Sequence, residues 1–220
     1  MSQRTKVEIG RLLDSIHVYS IDLDARHIYL QENSNGERSM AQTFIKNLHI
    51  LEKQSKEPIL IHMHTGGGEW VDFMSIYDSV KLSPCPITIL AYAEATSMSG
   101  VLLQAADKRV LMPNCEFMIH HGNLALDSNH TAAKSAVSCN ERYAKIMMDV
   151  FSNKMKKGKF FKDKKYTEVK INNFLDRKIK ENCDWYLNAK EAVFYGLADG
   201  VFGEKNFIDY DIIKAIKKTN

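Results

Sequence analysis

The stretch ITILAYAEATSMSGVLLQAA, residues 87–106, decides the fold class most clearly. Its first six residues, Ile87 to Tyr92, form an uncharged run rich in β-branched and aliphatic side chains, which is typical of a buried strand. The residues from Ser97 to Ala106 then predict a helix. Because a strand followed within a few residues by a helix is the repeating unit of α/β folds, we expect such strands to pair in parallel.

The same alternation extends in both directions from this stretch. On its N-terminal side, a buried-strand pattern at 58–63 is followed by the glycine turn Thr65-Gly66-Gly67-Gly68 and a helical pattern at 73–80. The alternation predicts an α/β fold with a largely parallel sheet and helices outside it. Further strands are predicted at 27–30, 109–112 and 116–120. Further helices are predicted at 40–51, 131–155, 191–197 (closed by Gly196) and 209–218, and one more helix ends near 181. Residues 1–16 are weakly helical, and Asn33-Ser34-Asn35-Gly36 predicts a turn.

The composition favours one globular domain spanning residues 1–220. Hydrophobic residues make up 45% of the chain, enough to bury a substantial core, and charged residues make up 26%. The formal net charge of +3 does not by itself indicate a nucleic acid or an anionic membrane as partner. No stretch approaches the ~20 apolar residues that span a bilayer, and no signal peptide is recognisable. We therefore expect a cytoplasmic protein without membrane contact.

The cysteines and the glycine turn predict neither a metal nor a cofactor. The cysteines form no CxxC pair and no zinc-ligand spacing, so we interpret them as free thiols in a reducing compartment. The glycine turn is not followed by the Lys-Ser/Thr of a Walker A loop and does not match GxGxxG, so no phosphate site is expected. The four cysteines are Cys85, Cys115, Cys139 and Cys183.

Three polar residues at the ends of elements are candidates for chemistry, although each alone has an ordinary structural explanation. Ser97 lies where a strand ends and a helix begins, so its hydroxyl is either a nucleophile near free helix amides or a helix N-cap. His120 ends an apolar strand, where a satisfied structural histidine is commoner than a catalytic base. Asp184, before Trp185, fits a helix cap or a surface charge. The G-x-S-x-G elbow of α/β-hydrolases is absent.

Together and in order, these segments resemble the proteolytic subunit of the Clp protease, the ClpP family, from about residue 27 to about residue 203. The order Ser, His, Asp also differs from that of α/β-hydrolases, chymotrypsin and subtilisin. The matching segments are Gly67-Gly68 with Met74-Ser75-Ile76-Tyr77-Asp78, Ala95-Thr96-Ser97-Met98, Leu102-Leu103 with Lys108-Arg109 and Pro113-Asn114, Met118-Ile119-His120, Asp184 with Leu187, and Glu191-Ala192-Val193 with Tyr195-Gly196-Leu197-Ala198-Asp199.

The resemblance implies a fold and a set of roles. The fold is the ClpP/crotonase-like spiral of ββα units. In such a site Ser97 attacks the peptide carbonyl, His120 accepts the proton of Ser97 and later donates it to the leaving amine, and Asp184 orients the imidazole. The backbone amides of Gly68 and Met98 form the oxyanion hole, where each donor contributes about 3 kcal/mol to transition-state stabilisation.

The resemblance also implies partners. Members of the family form homo-oligomers, seven-membered rings that usually stack in pairs, and they cleave polypeptides inside the resulting chamber. Unfolding would come from a separate AAA+ Clp ATPase, because this chain has no Walker A motif. We expect the ring contacts on the helix that carries Tyr77 and on the helix at 40–51.

Two departures from the family pattern lie beside the predicted site. Ser99 stands where the family usually has glycine, and it places a second hydroxyl close to Ser97. Glu69-Trp70 puts a charge and a large ring where the family has small apolar residues. We expect this second departure to change the substrate preference.

Three longer segments also depart from the family. Residues 1–26 are a divergent N-terminal segment. Residues 121–155 are expected to form a handle-like strand and a long helix. Family rings stack through this segment, and His121-Gly122 replaces the residues that the family usually has at its start. Residues 156–166 resemble an inserted basic loop, which we interpret as solvated rather than as a nucleic-acid patch.

Two other functions stay open at this stage. One is a ClpP-like subunit that keeps the fold and assembly but is weak or inactive, a hypothesis motivated by Ser99, Trp70 and the insertion. The other is a crotonase-type acyl-CoA enzyme, which shares the spiral fold and the paired-amide oxyanion hole but needs no Ser-His-Asp set. Labelling by a fluorophosphonate would favour the peptidase over the inactive subunit, and binding of a CoA thioester without peptide hydrolysis would favour the acyl-CoA enzyme.

Overall fold

A computed structural model describes residues 5–31 and 40–214. The predicted turn at 33–36 and the end of the predicted C-terminal helix lie outside this part of the chain. The strands are β1 (Ile21–Asp22), β2 (His27–Gln31), β3 (Ile59–His64), β4 (Ile87–Ala91), β5 (Glu94–Thr96), β6 (Lys108–Leu111), β7 (Glu116–Ile119), β8 (Trp185–Asn188) and β9 (Gly200–Val201). The helices are α1 (Lys6–Tyr19), α2 (Met40–Gln54), α3 (Trp70–Leu82), α4 (Met98–Leu103), α5 (His130–Met155), α6 (Lys159–Asp163), α7 (Glu168–Asn182), α8 (Ala189–Phe194) and α9 (Tyr210–Lys214).

The larger sheet has six strands in the order β1-β2-β3-β4-β6-β9. Among the described strands of this sheet, the β1–β2 pair is antiparallel and every other pair is parallel. Strand β4 lies between β3 and β6, with Ile89 paired to Ile61 and Arg109, and all five of its residues are buried. Helix α2 packs against β2 and α3, and α3 packs against α4. The prediction of an α/β fold with a largely parallel sheet is confirmed.

A second sheet, which the sequence patterns did not predict, has the order β5-β7-β8. Strands β5 and β7 are parallel, and β7 and β8 are antiparallel. The chain leaves the larger sheet at Ala93, whose φ of 54° turns it sharply before β5 begins. Because of this turn, β4 is not followed directly by α4 as we expected. The three-residue strand β5 lies between them.

Residues 121–129 form no strand, contrary to the handle-like strand that we expected. Every residue of this segment is exposed, and none pairs with a strand of the described chain. A strand is held by the N–H and C=O groups of a neighbouring strand, and among the described residues this segment has no such neighbour. Helix α5 begins at His130. Asn129 caps its N-terminus, because the Asn129 side chain accepts a hydrogen bond of 3.0 Å from the amide of Ala132.

Residues 156–166 are not the open, solvated loop that we expected. They contain α6, in which Phe161 is buried and Phe160 packs against Tyr195 with 5.1 Å between ring centroids. Gly158 permits this approach, because a Cβ there would lie 2.4 Å from the Tyr195 carbonyl. The loop interpretation was wrong because the two aromatic rings anchor the segment in the core, while most of its lysines face solvent.

A buried ion pair joins β6 to the segment before β9. Arg109 is 4% exposed and donates hydrogen bonds to both carboxylate oxygens of Asp199. The same guanidinium donates to Gln104 Oε1 at 2.7 Å and to the Gly196 carbonyl at 2.9 Å. The Arg109 amide adds a hydrogen bond of 2.8 Å to Asp199. These contacts hold the end of α4 and the end of α8 against the sheet.

Two histidines form a partly buried cluster on β2 and β3. His62 Nε2 lies 3.1 Å from His27 Nδ1, and His62 Nδ1 lies 2.9 Å from the Tyr92 hydroxyl. Tyr29 stacks on His62 with 4.8 Å between centroids. Because one hydrogen bridges the two facing ring nitrogens, the cluster favours neutral imidazoles. Burial lowers the pKa of both His27 and His62 to about 4; the Lys214 charge also lowers that of His27, and His27 lowers that of His62.

We expect the free energy of unfolding to fall as the pH falls from 6.5 towards 4. The pKa of each histidine in the folded chain lies below its ordinary value of 6.5, so this stabilisation is complete above pH 6.5 and is lost on acidification. With screening at these partly exposed rings, we expect a loss on the order of 2–3 kcal/mol. Urea unfolding at several pH values measures it. His62→Gln should weaken the dependence of the free energy of unfolding on pH, and the exposed control His49→Gln should leave it unchanged. An unchanged pH dependence in His62→Gln would contradict this account.

Candidate active site

The smaller sheet brings the three candidate residues to one edge. Ser97 directly follows β5, and His120 directly follows the parallel strand β7, so both lie beyond the carboxyl ends of their strands. Asp184 directly precedes β8, which runs antiparallel to β7, so the start of β8 lies at the same edge. The strand pairs Thr96–Met118 and Ile119–Trp185 fix this alignment.

The three side chains form a hydrogen-bonded line. His120 Nε2 lies 2.8 Å from Ser97 Oγ, and His120 Nδ1 lies 3.2 Å from Asp184 Oδ1. When the neutral imidazole carries its proton on Nδ1, that N–H donates to Asp184 and Nε2 accepts from the Ser97 hydroxyl. This arrangement can remove the proton of Ser97 and stabilise the resulting imidazolium.

The backbone holds Ser97 in an uncommon conformation. Its φ is 54° and its ψ is −126°, and the Ser97 amide donates to the Met118 carbonyl at 3.0 Å. Its side chain makes no capping hydrogen bond to α4, which lies entirely in the described chain. The N-cap explanation therefore fails for this hydroxyl, which is directed at His120 instead. A strained residue held in place by its surroundings is typical of functional sites.

Ser99 does not compete with Ser97 for the imidazole. Its side chain is 0% exposed, and its hydroxyl donates to the Thr96 carbonyl at 2.7 Å. The departure from the family pattern at this position thus adds a satisfied hydroxyl inside the core.

The glycine turn packs directly against the start of α4. Gly67 has a φ of 107°, and a Cβ on it would lie 2.8 Å from the Met98 amide nitrogen. Thr96 Oγ1 donates to the Gly66 carbonyl at 2.8 Å and so ties the turn to the end of β5. As the first residue of α4, Met98 has an amide without an acceptor inside the helix. Met98 and Gly68 both line a cleft that opens beside Ser97.

Gly67→Ala is expected to lower kcat/KM for the peptide hydrolysis that the resemblance implies by roughly tenfold to a hundredfold. The added methyl group would meet backbone atoms at 2.8–2.9 Å and would occupy a φ that favours glycine. The turn must then move away from Met98, which weakens one oxyanion donor. Steady-state kinetics measures the effect, with Gly10→Ala, whose Cβ would meet nothing within 4 Å, as the control. Wild-type kinetics in Gly67→Ala would contradict the tight packing described here.

A cleft of about 340 Å³ opens beside Ser97. Trp70 and Tyr143 form one wall, stacked with 4.4 Å between ring centroids and 11° between ring planes. Glu69 lies at the same end of α3 as Trp70, next to Gly68. The lining residues are Gly68, Glu69, Trp70, Ser97, Met98, His120, His121, Gly122, Asn123, Leu124, Asn140, Tyr143, Ala144 and Met147.

Sequence reasoning missed the part of this cleft that α5 supplies. Tyr143 and Met147 are one helical turn apart on α5, and Leu124 comes from the exposed segment before it. Their spacing predicts one face of a helix, but it does not indicate which element that face contacts. Of the two adjacent histidines, His120 joins Ser97 and Asp184, while His121 lines the rim.

The described residues hold no group of three or more His, Cys, Asp and Glu side chains placed to bind a metal ion. The four cysteines are free thiols. In the part of the chain that the structure covers, none of the helices combines the length and the apolar character needed to cross a bilayer.

Known proteins resemble this chain over most of its length. The family model for Clp protease matches residues 11–205. The chain is 27% identical over 204 residues to the ATP-dependent Clp protease proteolytic subunit of Deinococcus radiodurans, a match that covers 90% of each chain. It is also 27% identical over 201 residues to the subunit of the same name from Carsonella ruddii, covering 89% of this chain and 91% of that one. Since the family match includes the sheet edge that carries Ser97, His120 and Asp184, the chain belongs to the Clp protease family as a divergent member.

Proposed function

We propose that the chain is a serine endopeptidase that hydrolyses peptides or unfolded polypeptides inside an oligomeric chamber. The observation that carries the proposal is the line Ser97–His120–Asp184, with contacts of 2.8 Å and 3.2 Å, at the mouth of a cleft. Membership in the Clp protease family supports the peptidase class.

In the proposed mechanism, Ser97 Oγ attacks the peptide carbonyl while His120 Nε2 accepts its proton. Asp184 holds the Nδ1–H tautomer and stabilises the imidazolium. When the tetrahedral intermediate collapses, the C–N bond breaks and His120 returns the proton to the leaving amine. Water then attacks the acyl-enzyme ester with His120 again as base, which releases the acid and restores the Ser97 hydroxyl.

The negative charge of each tetrahedral intermediate needs donors in fixed positions. We assign these to the amides of Met98 and Gly68, because the glycine turn packs against the N-terminus of α4 and both residues line the cleft. Each such donor contributes about 3 kcal/mol in serine peptidases. The Thr96–Gly66 hydrogen bond of 2.8 Å supports the position of this turn.

We further propose that the chain forms a homo-oligomer, a seven-membered ring that stands alone or stacks on a second ring. Exposed apolar side chains on α2 and α3 support contacts there: Ile50 is 45% exposed, Val71 67% and Leu82 82%. The unpaired segment at 121–129 is the place where a second ring would meet the first.

A separate AAA+ ATPase would unfold the substrates, and the cytoplasm is the proposed location. Both relatives carry the words ATP-dependent in their names. This chain has no Walker A motif of its own, so any ATP-driven step needs another chain.

An inactive subunit is the weaker alternative. One of its motives was Ser99, which is buried and hydrogen-bonded to Thr96 rather than placed beside His120. The crotonase-type alternative has no support from the family match, which is to Clp proteases.

The proposal is tested with the purified full chain. Size-exclusion chromatography with light scattering should give an oligomer, and that oligomer should cleave a fluorogenic peptide. A dye-labelled folded protein should be degraded only when a Clp-type ATPase and ATP are added. If an assembled oligomer cleaves neither the peptide nor unfolded casein, the proposal is wrong.

A further inference from the structure

The cleft beside Ser97 combines apolar walls with a single acidic side chain. Trp70, Tyr143, Met98 and Met147 supply the apolar surface. Glu69 is the one Asp or Glu among the described residues that line the cleft, and no Lys or Arg lines it.

The Glu69 carboxylate makes no capping hydrogen bond and no salt bridge with the described residues. Glu69 is the N-cap residue of α3, but its side chain makes no capping hydrogen bond there. It forms no salt bridge with any described residue, and it is exposed. An unengaged carboxylate at the rim of a substrate cleft attracts cationic groups through its own charge.

Glu69 lies beside the residue that is proposed to bind the carbonyl oxygen of the cleaved bond. It directly follows Gly68, the proposed oxyanion donor, and directly precedes Trp70, whose ring stacks on Tyr143 at 4.4 Å. Since Gly68, the aromatic wall and Glu69 line one cleft, a peptide bound with its carbonyl oxygen at Gly68 would share that cleft with both the rings and the carboxylate.

We infer that Glu69 makes this cleft select peptides that carry a lysine or arginine next to the cleaved bond, with an apolar side chain seated against the Trp70–Tyr143 wall. The inference rests on the proposed peptidase function and assigns Glu69 as a specificity-determining residue. The competing explanation is that Glu69 is a solvated charge that only favours the N-terminus of α3.

Matched peptides separate the two explanations. Each set of three peptides has the same apolar residue at the cleavage site and differs only in carrying Lys, Gln or Glu at one position next to the cleaved bond. The value of kcat/KM is measured for each peptide. Because an exposed ion pair is modest, the ratio for Lys over Gln peptides should be about two- to fivefold at low salt and should approach one in ~1 M salt. The order of preference should be Lys, then Gln, then Glu.

Variants then assign the preference to this carboxylate. Glu69→Gln should bring the Lys-over-Gln ratio to about one, and Glu69→Lys should favour the Glu peptide. Glu204→Gln, which makes the same charge change at an exposed residue that does not line the cleft, should keep the wild-type ratio. Ratios within one variant cancel any change in the amount of active protein.

Labelling with a fluorophosphonate is measured on the same samples. If the wild type labels and cleaves peptides but Glu69→Gln keeps the wild-type ratio, the inference is wrong and the proposed function stands. A wild type without any charge preference also overturns the inference alone. If the assembled wild type neither reacts with the fluorophosphonate nor cleaves the peptides, both the proposed function and the inference are wrong.

Discussion

Ser97→Ala is expected to lower kcat/KM for peptide hydrolysis by about 10⁴-fold or more, the largest effect on activity among the changes that we predict. Loss of a serine nucleophile removes the covalent path altogether, and what remains comes from the oxyanion hole and from binding. The side chain is only partly exposed and makes no capping bond to α4, so the fold should survive the change. Hydrolysis of a fluorogenic peptide and circular dichroism measure the two properties.

Ser99→Ala is the matched control for this prediction. It removes a hydroxyl two residues away that donates to the Thr96 carbonyl at 2.7 Å, so it should cost about 1 kcal/mol of stability and leave kcat/KM within a few-fold. If Ser99→Ala abolished hydrolysis and Ser97→Ala did not, the assignment of the nucleophile would be reversed.

Asp199→Ala is expected to lower the free energy of unfolding by about 3 kcal/mol, the largest stability effect that we predict. The guanidinium of Arg109 has a side-chain exposure of 5% and would lose the carboxylate that compensates its charge. The value lies at the lower end for buried pairs because the Asp199 side chain is 35% exposed, so water replaces part of the lost interaction. Urea unfolding measures it.

Two comparisons make this second prediction specific. Asp163→Ala removes an exposed i,i+4 partner of Lys159 and should cost at most about 0.5 kcal/mol. Arg109→Met combined with Asp199→Leu should be more stable than Asp199→Ala alone, because no unpaired charge remains in the core. Equal losses in Asp199→Ala and Asp163→Ala would contradict a buried network.

Much of the fold could be predicted from local pattern. The run Ile87 to Tyr92 predicted β4, and the structure buries all five residues of that strand between two parallel neighbours. The smaller sheet could not be predicted in this way. Only β7 was expected, as the strand at 116–120. Strands β5 and β8 have three and four residues, too few for a clear period, and the sheet pairs strands that are far apart in the sequence.

The candidate site was predictable as a set of residues but not as a geometry. Ser97, His120 and Asp184 could be chosen only through family order, because each has an ordinary explanation by itself. Their meeting point depends on the β5-β7-β8 pairing, in which β8 runs against β7 and so brings Asp184 to the edge that carries the other two.

The error at residues 156–166 has a physical cause. Lysines dominate this segment, so its average composition indicates an exposed loop. Phe160 and Phe161 are the exception, and they pack into an aromatic cluster formed with α7 and α8. The cleft wall was missed for a related reason, since the Trp70–Tyr143 stack joins two helices far apart in the sequence.

The most direct test of the central claim is to find where a fluorophosphonate attaches. The assembled chain is treated with the probe, digested and analysed by mass spectrometry. We predict one adduct on the peptide that contains Ala95-Thr96-Ser97-Met98, with fragment ions that place it on Ser97, and none in Ser97→Ala. An adduct on Ser99 or on another residue, or no adduct on an assembled and folded chain, would contradict the assignment of Ser97 as the nucleophile.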